Sequence, residues 1–125
     1  MTPISIRVPL RTTNGQNARE HHMVRHRRVK AERAAIAWAL ATRTPPAGPV
    51  RVLMTRVSPP GATGTWQPLD EHDNLRGALK APVDAVAHWL GRDDADPSIE
   101  WQYAQRQGRA GQWAVEVQVD AGGEG

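Results

Sequence analysis

The chain has 125 residues, no cysteine and a formal net charge of +3. Its length suits one domain with a core of its own, spanning 1–125 with 1–3 and 120–125 as flexible ends, and the missing cysteines exclude disulfides and thiolate metal centres. No apolar run is long enough to cross a bilayer, and MTPISIRVPL has no basic segment ahead of an apolar one, so a cytoplasmic protein without a membrane span or secretory signal is expected.

Ile4, Ile6 and Val8 alternate with polar neighbours and predict a first strand, limited by Pro9. The segment 11–19 is turn-rich around Asn14-Gly15. A helix is expected from Glu20 to Ala41. Val24, Val29, Ala31, Ala35, Ile36, Trp38 and Leu40 supply its apolar side, and its first half, HHMVRHRRVK, is strongly basic. Pro45-Pro46 end it. Val50 to Val57 read as a second strand at or near the middle of a sheet.

The next loop, SPPGATGTWQP, has no Gly-Lys-Ser/Thr and so is no phosphate loop. Asp73 is placed to cap a second helix whose apolar face is Leu75, Leu79, Val83, Val86 and Leu90. Pro82 predicts a kink or break within it, and Gly91 a C-terminal stop. Ile99, Trp101 and Tyr103 alternate, as do Trp113, Val115, Val117 and Val119. These two strands are expected to form a hairpin around Arg106–Gly111, followed by a disordered AGGEG tail.

Charge is divided unevenly. Residues 1–60 hold 11 Lys and Arg against Glu20 and Glu32 alone, while residues 61–125 hold five against 11 acids. The basic half suggests a polyanion partner. The acids concentrate in LDEHDNLRGALKAPVDAVAHWLGRDDAD, residues 69–96. At about 100° per residue, Asp73, Lys80 and Asp84 share one helix side and the apolar residues lie opposite. Glu71 and Asp73, two apart in an extended segment, point the same way.

Hard cations such as magnesium take oxygen ligands, few of them from protein, and such an ion activates water for phosphodiester hydrolysis. Lys80 can meet the developing phosphorane charge. The plainer alternative is a solvated, charged helix end, with Asp93-Asp94-Ala95-Asp96-Pro97 as an ordinary turn.

Asp73-Asn74-Leu75, an acid two positions earlier, Lys80 four residues before Asp84-Ala85, then Gly91 and Asp93-Asp94 together resemble the RusA family of Holliday junction resolvases, particularly its phage-type members. The resemblance runs in order along nearly the whole chain. It implies an α/β (α+β) fold, a small mixed sheet of about four strands with two main helices. It also implies a homodimeric, magnesium-dependent endodeoxyribonuclease of the crossover junction type, nicking four-way DNA junctions in recombination and repair in a bacterial or phage-infected cell. Manganese is the alternative ion.

By position, the family's catalytic acids fall on Glu71, Asp73 and Asp94 and its functional lysine on Lys80. Asp84 matches a recurrent acid, and Asp70 and Asp93 are further candidate metal ligands. Glu71 stands where the family usually has Asp, which leaves Asp70 as its rival. The interval from Asp73 to Lys80 is also longer than usual, although both spacings return to about the same helix face.

The DNA-binding candidates are Asn14, Asn17 and Arg19, in the loop that the family turns toward nucleic acid, Arg25, Arg27, Arg28 and Lys30 on the basic helix, and Arg76. His22 and His26 have metal spacing but lack a third ligand, which favours a solvated role. Trp66, in a polar loop, is a candidate for stacking on an unpaired base, against the default of packing. A non-catalytic protein that binds branched or single-stranded DNA is the alternative function.

A straight helix over residues 73–90 would hold its ends roughly 26 Å apart. Asp94 must therefore return by a fold at Pro82 or come from a second subunit.

Overall fold

The computed structural model describes residues 3–12, 22–70 and 74–121. Its elements are β1 (Ile4–Val8), α1 (His22–Leu40), β2 (Val50–Ser58), α2 (Asn74–Ala78), α3 (Lys80–Leu90), β3 (Ile99–Gln107) and β4 (Ala114–Ala121). The strands form one mixed sheet in the order β1-β4-β2-β3. β4 runs antiparallel to both β1 and β2, and β2 runs parallel to β3. The expected small α+β architecture with four strands is what forms, with the second helix divided in two.

Period-two patterning decides which face is covered. Val52 and Met54 of β2, Val115, Val117 and Val119 of β4, and Ile99 of β3 point one way and are buried, joined by the half-buried Ile4 and Ile6. Ile36 and Leu40 of α1, Leu75 of α2, the linking Leu79, and Val83, Val86 and Leu90 of α3 cover them. The other face carries Arg7, Arg51, Glu100, Gln102 and Gln118 and stays open, as one face of a largely antiparallel sheet can. Each fully buried Leu or Ile contributes roughly 2 kcal/mol, so packing, more than the propensity of an arginine-rich segment, holds α1 in place.

Four expectations change. β3 and β4 do not pair as a hairpin, because β2 lies between them. β3 instead joins β2 through the α2–α3 crossover that a parallel pair requires. On α1, Ile36 and Leu40 are buried, whereas Val24 is exposed and Trp38 is 84% exposed. Residues 36 and 38 lie about 200° apart on a helix and cannot share a face.

The helix break falls at Leu79 (φ −98°, ψ 6°) rather than at Pro82 itself. Proline deprives the carbonyl four residues earlier of a donor and crowds it. That carbonyl is Ala78's, at the end of α2, so Pro82 sits comfortably in the first turn of α3. Finally, Asp120 and Ala121, expected to be flexible, belong to β4 and pair with Arg51 and Val50. The expected cap Asp73, the Asn14-Gly15 turn and residues 122–125 lie outside the described residues.

Gly91 ends α3 as expected. Its positive φ of 72° admits a left-handed turn, in which the Arg92 amide donates to Ala87 O (3.0 Å) and the Gly91 amide to His88 O (3.0 Å). No described helix is long and apolar enough to cross a membrane.

Candidate active site

The turn at Gly91 sends the chain back along α3. Lys80 opens α3, and its Nζ donates to Asp94 Oδ2 (3.0 Å) and to Asp84 Oδ1 (3.1 Å), one helical turn on. Arg33, from α1, reaches the other Asp84 oxygen at 3.0 Å. Lys80 and Asp94 therefore meet within one chain. The reversal at Gly91 brings this pair together, whereas the separation that a straight helix posed was between Asp73 and Asp94, and Asp73 lies outside the described residues.

The cluster lies along β3, which is an edge strand. Trp101 Nε1 donates to Asp94 O (2.8 Å) and fixes the returning segment to the strand. Two residues on, Tyr103 lies beneath the Arg76 guanidinium, 4.9 Å from its ring centre. Two further on, the Gln105 side chain pairs with the Leu69 backbone, donating to its carbonyl and accepting from its amide, both at 2.8 Å. Trp101, Tyr103 and Gln105 share the covered face of the sheet. Through them one strand edge holds Asp94, Arg76 and the start of the acidic stretch. Asp70 is exposed, and its carbonyl accepts from the Leu75 amide at 2.8 Å.

The ionic contacts shift the ionisable groups consistently. The hydrogen bond from Lys80 holds the Asp94 carboxyl below the usual range. Hydrogen bonds to Asp94 and then Asp84 raise the Lys80 ammonium. Burial raises the Tyr103 phenol despite the cations nearby.

Other acids are engaged in turns. Asp93 Oδ1 accepts from the Ala95 amide (2.8 Å), and Asp96 Oδ1 accepts from the Ser98 amide and hydroxyl (2.8 and 2.7 Å). Asp93 therefore braces the loop presenting Asp94, as the turn alternative expected of this segment.

Glu71, Asp73, Asn14, Asn17 and Arg19 lie outside the described residues, as does the His22 side chain. Of the basic residues on α1, Arg25, Arg27 and Lys30 are exposed, as is His26, whereas Arg28 is half-buried and donates to the buried Glu32 at 3.3 Å. Trp66 is a brace and not a free stacking platform: it is half-buried and its Nε1 donates to Ser58 Oγ at 3.0 Å.

From the sequence Arg33 was one of the basic residues of the first helix and not a partner of Asp84, Trp101 and Tyr103 were strand residues only, and Gln105 was passed over. The alternation Ile99, Trp101, Tyr103 was visible, but what it would hold depended on β3 being at the edge. Among the described residues no group of three or more His, Asp and Glu is arranged to hold a metal ion. No protein-family model matches the chain, and no curated protein matches it in sequence.

Proposed function

We propose that this chain is a magnesium-dependent, structure-selective DNA endonuclease of the RusA kind, nicking four-way junctions as a homodimer. One observation carries the reading: Lys80 meets both Asp84 and Asp94 on the β3 edge that also anchors the acidic stretch at Leu69. A lysine four residues before Asp84-Ala85, with Asp93-Asp94 beyond the helix, is part of the sequence pattern on which the RusA resemblance rests.

The donor chemistry fits a hard cation, since Glu71, Asp73 and Asp94 offer only oxygen. Magnesium, with manganese as its substitute, would supply an activated water and charge neutralisation at the leaving oxygen. In this reading Lys80 keeps its charge because two carboxylates surround it, and a scissile phosphate draws the ammonium from them. Trp101 and the Asx turn at Asp93 position Asp94. Exposed Arg25, Arg27 and Lys30 hold backbone phosphates.

The decisive experiment incubates the chain with a labelled synthetic four-way junction with and without magnesium. Paired nicks that need the metal and vanish in Asp73→Asn are expected. A second reading, a branched-DNA binder that does not cut, is favoured by Asp84, whose oxygens are both occupied by cations as in a purely structural ion pair. Tight junction binding with no nicking in either metal would select it.

A further inference from the structure

The C-terminal ends of β1, β2 and β3 gather at one end of the sheet, and arginine collects there. On the open face, Arg7 of β1 and Arg106 of β3 both reach Glu116 Oε2 of β4, at 2.8 and 2.6 Å. Beside them Arg7, Arg106, Gln107, Gly108, Arg109 and Gln112 line a hollow of about 500 Å³. On the covered face, Arg11 and Arg56 lie against the Trp113 ring at 5.2 and 5.3 Å. Arg56 is buried and is held by Thr12 and Ser58, neither of which is an acid. Among the described residues, the contacts of these five arginines include one carboxylate, Glu116. Burial presses its pKa up, yet the hydrogen bonds from Arg106 and Arg7 outweigh it and hold the group ionised.

The loop carrying Arg109 is built in advance. The Gly108 amide donates to Ser58 O (2.9 Å), the Gln112 amide to Arg109 O (3.0 Å) and the Arg109 amide to Gln112 Oε1 (2.8 Å). Gly111 takes the positive φ, 75°, that closes the turn. A Cβ at Gly108 would come within 2.7 Å of Gln112 Oε1 and 2.9 Å of Val57 Cγ1, so the loop sits hard against the sheet. The Arg109 guanidinium has no partner among the described residues and projects from this fixed loop.

We infer that this arginine end is a second nucleic-acid surface, binding backbone phosphates through Arg7, Arg106 and Arg109. Guanidinium forks suit phosphate oxygens in pairs. A protein partner would want an apolar or aromatic anchor at the centre of the patch, and the hollow offers only arginine, glutamine and glycine. Its position is also apt: Arg106 follows Gln105, which holds the acidic stretch at Leu69 on the opposite face of the same strand. The inference rests on the nucleic-acid reading proposed above but not on cleavage.

The test measures binding of the full chain to a four-way junction and to plain duplex, in EDTA, across a salt series. Arg106→Ala with Arg109→Ala should make the plot of log affinity against log salt shallower by about two and weaken binding about tenfold or more at low salt. Arg109→Glu alone touches no observed side-chain contact and should weaken binding without moving the melting temperature. Arg51→Ala, at the other end of the open face beside Glu100, should leave the slope unchanged.

If the parent chain binds DNA and both arginine variants bind with the parental slope, this surface is not used and the nucleic-acid reading survives. If the parent binds neither DNA, both fall. Arginine-dependent binding to phosphatidylserine vesicles with none to DNA would overturn the inference in favour of a lipid surface.

Discussion

Along β3, two charged regions lie on opposite faces of one strand and balance their charge differently. At the edge, Lys80 is shared by Asp84 and Asp94, and Asp84 is shared by Lys80 and Arg33. Around Glu116, on the open face, two arginines share one acid and Arg109 has none among the described residues, while at the same end of the sheet, on the covered face, Arg11 and Arg56 rest on an indole ring. Matched charges fix side-chain positions but cancel much of their field. Unmatched cations project it, and over a distance set by ionic strength. The first arrangement suits a place where groups must be held for a reaction, the second a place where a polyanion must be attracted.

The largest effect that would break this comparison is at Asp94. Asp94→Asn keeps the shape and removes the charge, and nicking of a junction should fall at least about 100-fold while binding in EDTA is preserved. Unaltered nicking would remove Asp94 from the chemistry. Lys80→Met comes next. It should cut nicking at least about tenfold yet cost under about 1 kcal/mol in a urea titration, because Lys80 is 64% exposed and solvent screens such pairs. A large stability loss with little change in nicking would make the cluster structural.

The pH dependence is subtler. The lowered Asp94 carboxyl contributes stability above the ordinary carboxylate range, and that contribution is lost as pH falls below about 4. The raised Lys80 ammonium contributes below its ordinary value, and that contribution is lost as pH climbs past about 10.5. The stability gap between the parent chain and Lys80→Met should therefore be flat from about pH 5 to 9 and shrink outside it. A gap that changes across neutrality would point to another titrating partner.

The smallest effect is at Pro82. Placed mid-helix it would cost about 3 kcal/mol, but in the first turn of α3 it costs little. Pro82→Ala should therefore shift stability by less than about 1 kcal/mol, and a larger gain would show that the break at Leu79 is strained.

Much of this was legible because local patterns act locally. The β-branched run Val50–Val57 and the alternation in Ile99–Tyr103 and Val115–Val119 marked strands whatever their partners, and Gly91 marked a helix end by its own backbone freedom. Partnership was not legible. Two alternating runs joined by a short glycine-bearing link look like a hairpin, and nothing in that link reports that β2 occupies the gap. Within the candidate site, the Lys80–Asp84 spacing was visible on a helix wheel. The return of Asp94 to Lys80 depended on a reversal at Gly91 and a tryptophan hydrogen bond from another strand. Trp38 deceived because apolar character was read without its angle.

The strand order has a consequence for how the chain becomes a sheet. Ile4 finds its register only against Val119, nearly the whole described chain away, and β4 also lies between β1 and β2. The β2–α2–α3–β3 crossover is sequence-local and can gather early, but β1 has nothing to pair with until β4 is present. Such distant pairing is slow to form because a long loop must close first. A nascent chain that has emerged only through β3 therefore leaves the exposed edges of β1 and β2 waiting. In that interval a chaperone, or a neighbouring chain's strand, competes for them.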